Sequence, residues 1–210
     1  MDADPNVRIT SLLYLTYLLT HDVLKPRGTL SDAALCMLNR KRSDGKEEDC
    51  SSDEREVTVL ATELFREISR KGNLLVNVLP DLVCRICRWE EQVPLPAFKS
   101  LVKRLLSMVD DKPMDVVVEK MCQRFEFCNR REATEHNRRI AYYFSYFISQ
   151  IALTDSSFYR MRDSLPYFAP FLEDEVIYRD FMAVISHLIS GTSSNEVKVS
   201  FIPSVRLCIH

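Results

Sequence analysis

Four glycines in 210 residues are few for a protein built from tight hairpins or phosphate-cradling loops. No phosphate loop, dinucleotide fingerprint, nucleophile elbow or H-E-x-x-H motif occurs. Long apolar runs are missing too. The stretch Ile140 to Leu153 is uncharged, but it falls short of the roughly 18–20 residues a spanning helix needs. The opening MDADPNVRIT has no basic region followed by an apolar one, so no signal peptide is read there. A net charge of −2 and a pI near 6.1 exclude a wholly basic nucleic-acid binder. Any contact with a polyanion must then come from local patches. Seven cysteines are an odd number, and their spacing shows no disulfide framework of a small secreted fold. Reduced thiols in a cytosolic or nuclear protein are the expectation, and with it a soluble, intracellular chain.

What is present is periodic. A hydrophobic content of 46% and a charged content of 28% supply a core and a surface for one or two domains. Val57, Leu60, Ala61, Leu64, Phe65 and Ile68 follow the i, i+3, i+4, i+7, i+8, i+11 spacing of one helix face. Phe98, Leu101, Val102, Leu105, Leu106 and Val109 repeat it, as do Ile140, Tyr143, Phe144, Phe147, Ile148 and Ile151. Between them run Leu75, Val78, Leu79, Leu82, Val83 and Ile86, then Met114, Val117, Val118, Met121, Cys122 and Phe125. Leu30, Ala33, Ala34, Met37 and Leu38 form a shorter early member. Phe158, Met161, Leu165 and Ala169 continue the first series, and Ile177, Phe181, Val184, Ile185 and Leu188 the second.

Two helices recurring every ~40–47 residues are the mark of HEAT or armadillo repeats. One helix pair cannot cover its own apolar stripe, so pairs stack. The expected fold is all-α: a HEAT/armadillo-type α-solenoid of stacked antiparallel helix pairs over residues 1–191, with an irregular tail at 192–210. The junctions agree. Asp4 stands as N-cap before Pro5, and Asp53 and Glu54 open the 57–68 helix. Lys71-Gly72-Asn73 is a tight connection, with glycine closing one helix and asparagine capping the next. Pro80 falls inside a helix and is expected to kink it. Residues 7–20 resemble the second helix of a pair whose first is missing, with Arg8 their only charge. A broad apolar surface would then lie uncovered. Such a start is expected of a fragment, a truncated gene product or the C-terminal end of a longer solenoid.

Chemistry is sparse. Cys84 and Cys87 form a C-x-x-C pair on the 75–86 helix, the first roughly opposite the apolar stripe and the second on its shoulder. A zinc site needs about four ligands, and no second pair occurs; a redox pair would accompany a βαβ pattern, which is absent. The pair therefore reads as ordinary helix sequence. His136 and His187 read as solvated or packed residues, and Asp110-Asp111 as a turn before Pro113. No catalytic set, cofactor or metal site is expected.

Two features point to interaction instead. Residues 39–56, NRKRSDGKEEDCSSDERE, form a charged insertion, expected to be a flexible loop over 40–56. In it Ser51 precedes Glu54 by three residues, an acidophilic phosphorylation pattern beside a helix start. The run Asn39 to Arg42 is a weak nuclear-import or phosphate-contact signal. Basic residues cluster elsewhere: Lys25 with Arg27, Lys99 with Lys103 and Arg104, and Arg130 and Arg131 with Arg138 and Arg139. On a solenoid such clusters can follow a phosphate backbone. These nine are the candidate DNA contacts.

REISRKGNLLVNVLPDLVCRI (66–86) and VEKMCQRF (118–125) resemble the C-terminal HEAT region of the condensin complex subunit 1 family. VRITSLLYLTYLLTHDVLKPRGTLSD (7–32) is similar to the helix and turn that precede it, and IALTDSSFYRMRDSLPYF (151–168) follows in order. The resemblance implies a non-catalytic scaffold of the type I complex, acting in mitotic chromosome condensation. Its implied partners are a kleisin chain, an SMC-type ATPase pair and DNA or chromatin, with no membrane and no small-molecule substrate. The implied location is nucleus and chromosome, with a cytoplasmic pool. The chain departs from the family pattern by lacking the large N-terminal part, by the 40–56 insertion, and by losing helical character after Gly191. The alternative is a HEAT solenoid of another class, a condensin II subunit or a nuclear transport or adaptor protein.

Overall fold

The computed structural model describes residues 2–26, 28–38, 52–88, 93–109, 112–128 and 134–191, the last four by backbone alone. Among them are ten α-helices and two short 3-10 turns, with no strand. The chain divides into two compact units, Met1–Asp110 and Asp111–His210. The 192–210 tail and most of the charged insertion lie outside the described residues.

In the first unit α1 spans Pro5–Thr20. It starts where the sequence predicts: the Asp4 carboxylate accepts the Asn6 amide at 2.8 Å, and Pro5 needs no donor at the first position. After α2 (Thr29–Leu35), α3 (Ser52–Arg70) buries Val57, Ala61, Leu64, Phe65 and Ile68, the predicted stripe apart from half-buried Leu60. Gly72 closes the α3–α4 turn in the left-handed region, φ 54°, as a short connection requires. Asn73 corrects an expectation. It occupies the N-cap of α4 (Leu74–Cys87), but its backbone at φ −98°, ψ 21° is not extended, and its side chain makes no cap. Helices α1 and α3, α2 and α3, α2 and α4, and α3 and α4 pack together. Because α4 meets both α2 and α3, it buries more than one stripe. Val76, Cys84 and Cys87 are all buried, so Cys84 does not lie on a polar face as its sequence position suggested. Helix α4 also runs through the buried Pro80 as a single element. Helix α5 (Leu95–Leu106) buries Phe98, Leu101, Val102 and Leu105, and Val109 is buried just beyond its end.

The second unit opens with α6 (Asp115–Gln123), which tightens into a 3-10 turn at Arg124–Cys128. It continues through α7 (Glu135–Ser149), α8 (Asp155–Asp163), α9 (Leu165–Phe168), a 3-10 turn at Ala169–Phe171, and α10 (Glu175–Gly191). Helix α6 packs on α7, α8 and α9, and α10 on α7. The stripe read through Phe158, Met161, Leu165 and Ala169 breaks. Pro166 has no amide to donate back to the preceding turn, so α8 ends at Asp163. The register then shifts, and Phe168 enters the core in place of half-buried Leu165 and Ala169. Phe125 lies at the centre of this core. Its ring centroid is 5.7 Å from Phe144, 6.1 Å from Phe168, 5.5 Å from Phe171 and 6.0 Å from Phe181. Ile177, Phe181, Val184 and Ile185 are buried as predicted, while Leu188 lies beyond the described side chains.

Amphipathic helices packed on partners close in sequence are the architecture of the HEAT/armadillo-type α-solenoid class. Among the described residues no helix is long and apolar enough to cross a membrane.

Candidate interaction surface

Charged side chains divide into those that fasten helices together and those that face outward. Arg8 belongs to the first kind. It is 6% exposed, and both terminal nitrogens meet the Glu54 carboxylate in the first turn of α3. A lone charge on an apolar helix is a signal of such a buried pair, because an unpaired guanidinium could not enter the core. Glu54→Ala strands this guanidinium. It should cost about 1.5–3 kcal/mol, the worth of a hydrogen bond to a charged group, since water still reaches the Glu54 side. Arg8→Met, which fills the same space without a charge, should cost less in the same denaturant titration.

Lys71, in the turn after α3, closes the far end of α1. Its ammonium donates to the Leu19 carbonyl at 3.1 Å, to the Thr20 carbonyl, and to Asp22 Oδ1 at 3.0 Å. A cation at a helix C-terminus complements its exposed carbonyls. The outward face of α1 carries no charge: Val7, Leu13, Tyr14 and Tyr17 are exposed, and Tyr17 stacks on His21 at 4.1 Å. Large apolar side chains are thus exposed on α1, interspersed with exposed Asn6, Thr10 and Ser11.

The candidate phosphate contacts separate in the same way. Lys99 and Lys103 lie one turn apart on the exposed side of α5, opposite its buried stripe. Arg104, also exposed, donates Nη1 to the Met37 carbonyl just past α2, at 2.8 Å. On α7, Arg138 donates to Asp174 Oδ2 through Nε at 3.0 Å and Nη2 at 2.6 Å. Tyr142 Oη donates to the same oxygen at 2.7 Å. Arg139 is half-buried, with Nη2 3.2 Å from His136 Nδ1. Lys25 is exposed beyond α1. Arg27, Arg130, Arg131 and Ser51 lie outside the described residues.

Asp174 was missed by sequence reasoning, although an aspartate just before a helix signals a cap. Its Oδ1 accepts the amides of Val176 at 3.0 Å and Ile177 at 3.4 Å, opening α10. Burial pushes its carboxyl up, but hydrogen bonds from Tyr142, Arg138 and these two amides outweigh that and hold it below the ordinary value. Asp115 is similar. Burial opposes its ionisation, while the Ser157 and Thr154 hydroxyls and nearby Arg160 favour it, with a lowered pKa as the net result. Both folded-state values lie below the unfolded one. Their stabilisation is therefore present above about pH 4 and is lost as pH falls through the lowered values. Thermal melts from pH 7 downward should show the second unit weakening below about pH 4. The Asp174→Asn, Asp115→Asn double variant should show a shallower acid dependence; an unchanged profile would contradict the assignment.

Among the described residues no cluster of His, Cys, Asp or Glu could hold a metal ion. Cys84, Cys87 and Cys122 are buried and none is in a disulfide, and burial pushes the Cys122 thiol far up, away from the reactive thiolate.

The family model described as "non-SMC mitotic condensation complex subunit 1" matches residues 1–145. The human protein named condensin complex subunit 1 is 32% identical over 191 residues, which cover 90% of this chain and 12% of the relative. Its mouse counterpart is 31% identical over the same shares. The condensin-1 complex subunit CAP-D2 of Arabidopsis thaliana is 26% identical over 99% of this chain and 13% of its own length. No solved structure matches. The chain thus spans about an eighth of the length of these relatives. With a family match over well over half of its residues and helix pairs of the HEAT type, the chain belongs to the non-SMC mitotic condensation complex subunit 1 family.

Proposed function

We propose that the chain is a HEAT-type scaffold segment of a condensin subunit, without catalytic activity of its own, serving mitotic chromosome condensation. Family membership carries this reading. The ion pairs and hydrogen bonds that fasten helices together within each unit suit a segment that holds other surfaces in place. Its partners in this reading are a kleisin chain and an SMC-type ATPase pair, and it works on chromosomes in the nucleus, with a cytoplasmic pool.

Lys99 and Lys103 are the residues best disposed to meet DNA phosphates, with Lys25 as a further outward cation. Arg104 and Arg138 serve the fold first, since their guanidinium groups already hold Met37 and Asp174. Charge reversal at Lys99 and Lys103 together should weaken DNA binding and reduce the salt slope by about 2, the share of two phosphate contacts. An unchanged slope would return both to plain surface lysines.

The partner assignment is tested by affinity purification of the tagged chain from dividing cells, with identification of what co-purifies. Recovery of a kleisin and an ATPase pair supports the condensin reading. Recovery of transport receptors or their cargo instead would overturn it.

A further inference from the structure

We propose that Ser107 is a phosphorylation site, read by a kinase that selects arginine three residues before the acceptor, and that its phosphate draws Arg104 off the Met37 carbonyl. Ser107 is the C-cap residue that follows α5, in the sequence Lys103-Arg104-Leu105-Leu106-Ser107. The cations at the fourth and third positions before the hydroxyl are the pattern that acidic substrate grooves of protein kinases recognise by charge. Lys103, Arg104 and Ser107 are all exposed, and among the described residues the Ser107 hydroxyl makes a local bond to the Arg104 carbonyl, 2.9 Å. Leu105 and Val109 are buried, so a kinase must catch the last turn of α5 unwound. Helix ends open most readily.

In the reaction Ser107 Oγ attacks the γ-phosphorus of ATP. The new Oγ–P bond replaces the bond to the β-phosphate oxygen, ADP leaves with that electron pair, and the hydroxyl proton passes to the kinase's carboxylate. Residues three and four apart on a helix face each other, so Lys103 and Arg104 both lie beside the new dianion and offset its repulsion by the carbonyls at the C-terminus of α5, a repulsion that itself loosens this last turn. A phosphate is a stronger acceptor for guanidinium than a neutral carbonyl. Arg104 now donates to the Met37 carbonyl at 2.8 Å, fastening the end of α2 just before the charged insertion. Its transfer to the phosphate would unfasten that end.

The test treats the purified chain and a peptide of residues 99–109 with an arginine-directed kinase and ATP. Mass spectrometry then locates the phosphate, and hydrogen exchange follows the amides of Cys36, Met37 and Leu38, which are bonded in the final turn of α2. The expected result is modification of both at Ser107, none in Ser107→Ala, and exchange about tenfold faster in the modified chain, as loss of one hydrogen bond involving a charged group predicts. A modified peptide beside an unmodified chain would overturn the proposal. So would failure of both, or a modified chain whose exchange at these amides is unchanged.

Discussion

Leu64→Asp should leave the first unit unable to hold its native structure. Leu64 is fully buried in α3, the helix that packs on α1, α2 and α4. The substitution forfeits the burial of a leucine, about 2–5 kcal/mol with its cavity. It also sets a carboxylate where the stripe Val57, Ala61, Phe65 and Ile68 offers no donor, adding a desolvation penalty of several kcal/mol. Together these rival the roughly 5–15 kcal/mol that holds an ordinary domain. Circular dichroism with thermal melting should show lost helicity and no cooperative transition for these helices. Leu64→Met, close in volume, should cost less than about 1.5 kcal/mol. A native-like melt for the aspartate variant would refute the placement of α3 at the centre of its unit.

Phe125→Ala is expected to be the most damaging single truncation in the second unit. The ring is fully buried and lies within 6.1 Å, centroid to centroid, of four other phenylalanines drawn from α7, α9, the following 3-10 turn and α10. Phe168 and Phe181 stack on one another at 4.3 Å, so the cavity cannot close without breaking a second contact. Loss of a buried phenylalanine costs about 3–5 kcal/mol, and in a unit of this size that lowers Tm by more than about 10 °C. Phe127, two residues on and 40% exposed, provides the control. Phe127→Ala should shift Tm by only a few degrees. Equal losses at the two positions would mean that the aromatic cluster is not the organising core.

The stripes through Val57–Ile68, Met114–Phe125 and Ile140–Ile151 were legible because an amphipathic helix writes its buried face into the spacing of its own residues. The caps at Asp4 and the turn at Gly72 were legible for the same reason: a cap or a positive φ is satisfied within a few residues. Legibility failed where a second helix intervened. Cys84 reads as surface on an isolated helix and is buried because α4 has neighbours on two sides. The 158–169 stripe looked continuous, but one missing amide at Pro166 reset its register and sent Phe168 inward.

The basic clusters show the same division most clearly. Lys99, Lys103 and Arg104 are equivalent in sequence, as are Arg138 and Arg139. The fold gives Arg104 to a carbonyl 67 residues away and Arg138 to a carboxylate 36 residues away, while both α5 lysines are exposed. By itself the sequence determined the helical class, most of the buried stripes and the family, since these rest on local periodicity and on residue identity. Only the tertiary structure decided which charges are fasteners and which are surface. A charge is fixed by its partner, and partners separated by tens of residues meet only when the helices between them have packed.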